Sequence, residues 1–295
     1  MAITNGDGRV TATVPASRLV DLIVTDGDGD DVFETKPQGD WLGAFTHGGL
    51  TAASALWSAT ATVPGELAVH SLHATFVGVG RSADPMRASV SRLRDGKSFA
   101  TRTVEVRQGE RLVMQLLCSY HRPEPGPEYQ LAMDPAVPPP EQLTASDHDL
   151  MVRLKQQRDV EFRDVGPTRA RADGTFRSTR RTWVRVNSPL PDDPIVHACV
   201  LTVVSDVGTV MAARHPIMRG VGFQSVGAAS LEHSMWFHRP IRADEWSMYE
   251  LQTVSAQNAR SLVRGAIHSR SGELGVTLVQ EVLIRPPGSA HPQGR

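Results

Sequence analysis

Apolar and polar residues alternate through two long series in this chain. The first covers residues 70–77, 86–93, 98–107 and 111–120, and the second 231–238, 248–255, 261–269 and 276–284. A period of two predicts strands with one buried face. Turn chemistry separates them, as at Asp95-Gly96 and Gln108-Gly109, where Gly relieves the steric cost of reversing the chain. Shorter strand-like segments at 160–164 and 182–186 precede the second series. Each series is led by a segment of another kind. Residues 48–62 are rich in Ala and Leu and stop just before Pro64, which predicts a helix. Residues 195–214, IVHACVLTVVSDVGTVMAAR, are too long for an ordinary strand and also predict a helix. That second helix is apolar nearly all round, so it must be covered on most sides. A central helix wrapped by an antiparallel sheet, built twice, is an α+β plan.

The duplication is also visible residue by residue. At a constant offset of 163, RQGERLVMQLLCSYHRP (107–123) and RSGELGVTLVQEVLIRP (270–286) share Arg107/Arg270, Gly109/Gly272, Glu110/Glu273, Val113/Val276, Arg122/Arg285 and Pro123/Pro286. A repeat of this size is a domain-sized unit used twice and not a solenoid. Between the copies, residues 123–146 are dense in Pro, which suppresses helix and central strand. Residues 1–122 therefore form an N-terminal unit, 123–149 a linker and 150–295 a C-terminal unit. At the same offset Gln280 stands where the first copy has Leu117.

Composition excludes more than it assigns. A net charge of −1 supplies no field to attract nucleic acid or an anionic membrane. Two cysteines, Cys118 and Cys199, cannot build a disulfide framework or a zinc site alone, so a reducing cytoplasm is expected. The first residues lack the basic start and apolar run of a signal peptide. No run of eighteen apolar residues is free of polar interruption, so no membrane insertion is expected. Asp26-Gly27-Asp28-Gly29-Asp30 resembles a calcium loop, but Asp31 and Pro37 stand where such a loop needs Gly and Glu. Gly78-Val79-Gly80 with Ala83 fits a dinucleotide pattern, yet Asp84-Pro85 follows instead of a helix. Neither G-x-S-x-G nor H-E-x-x-H occurs. These absences count against serine hydrolase, zinc peptidase and NAD enzyme readings.

Chemistry is sought where polar residues interrupt apolar patterns. Asp206 lies inside the second helix, where a carboxylate needs a partner because desolvating a lone charge costs several kcal/mol. Gln280 interrupts the apolar run 276–284 and needs hydrogen-bond partners if it faces inward. Ser230, before the strand 231–238, reads as a turn residue on its own. His233 and His238 are five apart and point to opposite strand faces, so they cannot share a metal and read as locally satisfied. Thr46-His47-Gly48-Gly49 opens the first helix. Free N–H groups there make His47, Gly48 and Gly49 candidates for binding substrate or an oxyanion.

The string His233-Ser234-Met235-Trp236-Phe237-His238-Arg239-Pro240 resembles the signature of the acyl-CoA thioesterase II family. Gly48-Gly49, HSLHATF (70–76) and LRDGKSFATR (93–102) are similar to the first half of its members. The resemblance covers about residues 30–122 and 150–286. It implies a tandem, or double, hotdog fold acting as an intramolecular pseudo-dimer. It further implies hydrolysis of acyl-CoA to free acid and CoA without metal or cofactor. The family's water-holding Asp, Thr or Ser, and Gln fall on Asp206, Ser230 and Gln280. Departures are His47 in place of a common Phe, Glu232 in place of Asp, and Val77-Gly78-Val79-Gly80 in place of Leu-Arg-Pro-Gly. A non-catalytic acyl-CoA-binding protein is the rival reading. A hotdog enoyl-CoA hydratase would need His five residues after Asp206, where Met211 stands. A pseudo-dimer can also pair with further copies of itself through sheet edges or faces.

Overall fold

The computed structural model describes residues 19–27, 29–39, 43–146, 159–165, 179–214 and 227–285, with residues 3–4, 10–11, 152 and 154–156. Strands β1 (Ile3–Thr4) and β2 (Val10–Thr11) pair with each other alone. The first unit continues with α1 (Val20–Ile23), β3 (Asp26–Gly27), β4 (Val32–Glu34), α2 (Gly48–Thr60), β5 (Ala68–Phe76), β6 (Arg87–Asp95), β7 (Phe99–Gln108) and β8 (Arg111–His121). The second comprises β9 (Val160–Asp164), β10 (Thr179–Val186), α3 (Pro194–Arg214), β11 (Gly227–Phe237), β12 (Ser247–Gln257), β13 (Arg260–Ser269) and β14 (Leu274–Arg285).

All strands from β3 onward join one antiparallel sheet in the order β3-β4-β6-β7-β8-β5-β11-β14-β13-β12-β10-β9. In each unit the strand after the helix crosses to lie beside the unit's last strand, β5 against β8 and β11 against β14. The units meet where β5 pairs with β11, and His73 faces Ser234 at the middle of that ladder with Nδ1 and Oγ 3.0 Å apart. Helix α2 packs on β5–β8, helix α3 on β11–β14, and the two helices on each other. This is the helix-in-sheet arrangement that the two alternating series predict.

Helix α3 shows how a nearly all-apolar helix tolerates its few hydroxyls. Thr202, Ser205 and Thr209 donate back to the carbonyls of Ala198, Thr202 and Asp206, which satisfies them without water. Its 21 residues are long and apolar enough to cross a bilayer, but the sheet and α2 bury 83% of its most apolar window. The length belongs to a core helix. Gly208 brings it against the sheet, since a Cβ there would come within 2.9 Å of both Tyr249 and Leu251.

The Pro-rich segment is more than a spacer. Trp183 Nε1 donates to the Pro138 carbonyl at 2.8 Å, Arg181 pairs with Asp134 at 2.9 Å, and Gln130 bridges Gly272 and Leu274. Met133, Val137 and Leu143 pack on Trp183, Trp246 and Met248. Proline keeps this strap extended and removes donors that would otherwise need partners. It covers part of the second unit's sheet on the side away from α3. The acidic run that resembles a calcium loop is an edge hairpin, in which Asp31 takes both nitrogens of Arg92 at 2.6 and 2.8 Å.

Candidate active site

Three elements of the second unit and one of the first converge on Asp206. Its carboxylate, 4% exposed, emerges from the middle of α3. Oδ1 accepts from Ser230 Oγ at 2.9 Å and Gln280 Nε2 at 2.6 Å. Gln280 Nε2 also donates to Ser230 Oγ at 2.8 Å, which closes a triangle. Oδ2 accepts from the Gly49 N–H at 2.7 Å and lies 3.3 Å from His47 Nε2.

Local structure explains each position. Gln280 lies mid-β14 on the inward face, paired in register with His233 of β11 and Val263 of β13. Ser230 and His233 are three apart and on a regular strand would face opposite ways. A register shift between Ser230 and Glu232 inserts one residue, so both side chains turn inward. Gly48 and Gly49 are required by the crossing of α2 over α3. A Cβ on Gly49 would lie 2.7 Å from Asp206 Cβ and 3.0 Å from the Val203 carbonyl. One on Gly48 would lie 2.9 Å from the Phe76 ring and 3.2 Å from Asp206 Oδ2.

The electrostatics favour an ionised carboxylate. Burial pushes the Asp206 carboxyl upward, but His47, His233, the Gln280 amide and the Gly49 N–H outweigh it and hold it below the usual range. The positive end of α2 points the same way. Burial pushes His47 and His233 down against the pull of Asp206, and it also pushes His197 down. These depressed histidines make stability pH-dependent, because the unfolded chain binds protons that the fold resists. Their contribution is fully present above the ordinary histidine value of 6.5 and is lost as pH falls through the lower folded values. That of Asp206 persists until pH falls below 3.8. The melting temperature should therefore fall between pH 7.5 and pH 5, as read by differential scanning fluorimetry (buffer pH values roughly bracketing the histidine range). A flat profile over that interval would contradict this electrostatic account.

All six residues singled out in the sequence are thus in one place, and His47, Gly48 and Gly49 stand in a different relation from that expected. The Gly49 N–H is taken by Asp206, and the Leu50 N–H is capped by His47 Nδ1 at 3.2 Å. Among the described residues the Gly48 N–H makes no hydrogen bond. His233 is fully buried and satisfied locally, as expected, with Nε2 2.8 Å from Ser205 Oγ, and it also faces Asp206. Sequence reasoning missed one member. Gln38 accepts from the His47 N–H at 2.6 Å and donates to Thr51 at 3.0 Å. It sits in a stretch without periodicity, so no pattern marks it.

Residues 152–283 match the family model for acyl-CoA thioesterase, and residues 37–121 match that for the acyl-CoA thioesterase N-terminal domain. The chain belongs to the acyl-CoA thioesterase II family. It is 31% identical over 282 residues to acyl-CoA thioesterase 2 of Haemophilus influenzae, covering 91% of this chain and 97% of that one. It is similar to the solved acyl-CoA thioesterase II of Mycobacterium marinum, with a TM-score of 0.80 and 31% identity over 92% of this chain and 100% of that one. A hot dog fold protein of Alicyclobacillus acidocaldarius shares the architecture with a TM-score of 0.76 at 17% identity, covering 92% of this chain and 99% of that one. The thioesterase is a double hotdog and a thioester hydrolase.

The duplicated fold has its polar constellation on one side only. Leu72 pairs with Cys118 in the first unit as His233 pairs with Gln280 in the second, so Cys118 is the counterpart of Gln280. Leu117, the counterpart at constant offset, points outward and is 39% exposed. A slip of one residue exchanges the faces of a strand. Val69 precedes the bulge of β5 as Ser230 precedes that of β11. Burial pushes the Cys118 thiol up to about 12, so the corresponding part of the thioesterase's first unit offers a protonated thiol and an aliphatic side chain.

Proposed function

We propose that hydrolysis of acyl-CoA by this enzyme runs at the single constellation of Asp206, Ser230 and Gln280. The supporting observation is that Ser230 Oγ and Gln280 Nε2 converge on one oxygen of a buried, ionised carboxylate. Ser230 and Gln280 hold a water beside Oδ1, and Asp206 takes its proton as the oxygen attacks the thioester carbonyl. The Gly48 N–H, at the positive end of α2, faces the developing oxyanion. Collapse of the tetrahedral intermediate breaks the C–S bond. The proton held by Asp206 passes to the departing CoA thiolate, which leaves free acid and CoA thiol. Placed proton transfer contributes about 10²–10⁴-fold and an oxyanion donor about 10²–10³-fold.

A chromogenic thiol reagent with acyl-CoAs from short to long chain tests the reading, and the wild-type enzyme is expected to release one thiol per thioester consumed. Binding of acyl-CoA without thiol release from any chain length would favour a non-catalytic binding protein. The two buried free thiols, Cys118 and Cys199, fit a reducing, cytoplasmic setting. Assembly with further copies of the chain belongs to the same proposal.

A further inference from the structure

The second oxygen of the Asp206 carboxylate, Oδ2, lies outside the triangle formed with Ser230 and Gln280. Oδ2 is held entirely from the first unit, by the Gly49 N–H and the His47 ring. The His47 ring is fixed from both ends. Nδ1 accepts the Leu50 N–H at 3.2 Å as the cap of α2, so that nitrogen bears no proton. A neutral imidazole then carries its hydrogen on Nε2, and Nε2 is the atom 3.3 Å from Asp206 Oδ2. The backbone behind the ring is pinned as well. The His47 N–H donates to Gln38 Oε1 at 2.6 Å, and Gln38 Nε2 and the His47 carbonyl both bind Thr51 Oγ1 at 3.0 Å.

We propose that His47 is a positioning residue of the thioesterase reaction. Its ring, held as the Nε2–H tautomer by the α2 cap, fixes Oδ2 of Asp206 so that Oδ1 presents to Ser230 and Gln280. This rests on the mechanism above, because it assigns His47 a role through Asp206. The titratable groups facing Asp206 are His47 from α2, His233 from β11 and Tyr249 from β12. Ser230 and Gln280 do not titrate. Burial pushes the Tyr249 hydroxyl upward, so it stays protonated across the working range. Among the facing groups, only His47 is a helix cap that also reaches Oδ2.

Two variants separate capping from positioning. His47→Asn keeps a good cap for the Leu50 N–H, but its side chain ends short of Nε2 and cannot reach Asp206. His47→Phe loses both functions. Both should move the acid limb of the kcat/KM profile upward by roughly half to one pH unit, because the electropositive Nε2 edge of the ring 3.3 Å from the buried carboxylate holds its pKa down. The plateau kcat should fall several-fold with KM little changed, and His47→Asn should melt close to wild type. An acid limb unmoved in both variants would reduce His47 to a cap and overturn the proposal. Long-range ¹H–¹⁵N spectra of the wild-type protein give a readout independent of turnover. They should show the proton on Nε2, and a proton on Nδ1 would also overturn it. Loss of the hydrolase reading itself appears differently, as wild-type protein that releases no thiol.

Discussion

Asp206→Asn is expected to lower thioester hydrolysis about 10³-fold, the middle of the range for a placed general base. The substitution keeps size and removes the proton acceptor. It also disturbs the acceptor arrangement, since Oδ1 receives Ser230 and Gln280 and Oδ2 receives Gly49 beside the His47 ring. An amide places an NH₂ group where at least one donor already points, whichever way it turns. Activity should therefore be lost in kcat, with acyl-CoA binding retained and near-UV circular dichroism like that of wild type. Thiol release followed with a chromogenic reagent measures the effect. Wild-type turnover by Asp206→Asn would remove the carboxylate from the chemistry.

Gln280→Leu is the second large effect, expected at about 10²–10³-fold in kcat, the scale of losing one placed donor. Leu fits a fully buried site of similar volume in the centre of β14. The substitution takes away the amide's hydrogen bonds to Asp206 Oδ1 and Ser230 Oγ, and a hydrogen bond to a charged, buried acceptor contributes to stability as well. The melting temperature should fall by several degrees, the cost of a hydrogen bond to a buried charge, while the folded protein loses its turnover. Steady-state kinetics beside a thermal melt checks this. A variant that melts early and retains specific activity per folded molecule would make Gln280 structural.

Much of the fold was legible because periodicity is a local signal. The strand pattern at 160–164 coincides with β9 (Val160–Asp164), and the helix expected at 195–214 is α3 (Pro194–Arg214). Asp206 and Gln280 were visible for the same reason, as polar breaks in apolar patterns. The family resemblance raised Ser230, whose own surroundings in sequence say only that a turn is near. Edge strands β3 and β4 were not legible, because two or three residues carry no period.

Repetition and alternation along the chain suffice to show one unit used twice, each a helix with an antiparallel sheet, with the polar breaks in the second. Tertiary structure decided what those breaks do. The bulge at Ser230/Glu232 turned Ser230 inward, and the register of β8 made Cys118 the counterpart of Gln280 in place of Leu117. The crossing of α2 over α3 spent the Gly49 N–H and the His47 ring on Asp206, when the helix entry alone suggested an oxyanion site. The two differ in range. Propensity and alternation act over a few residues, whereas a hydrogen bond between residues 157 positions apart depends on how whole elements pack.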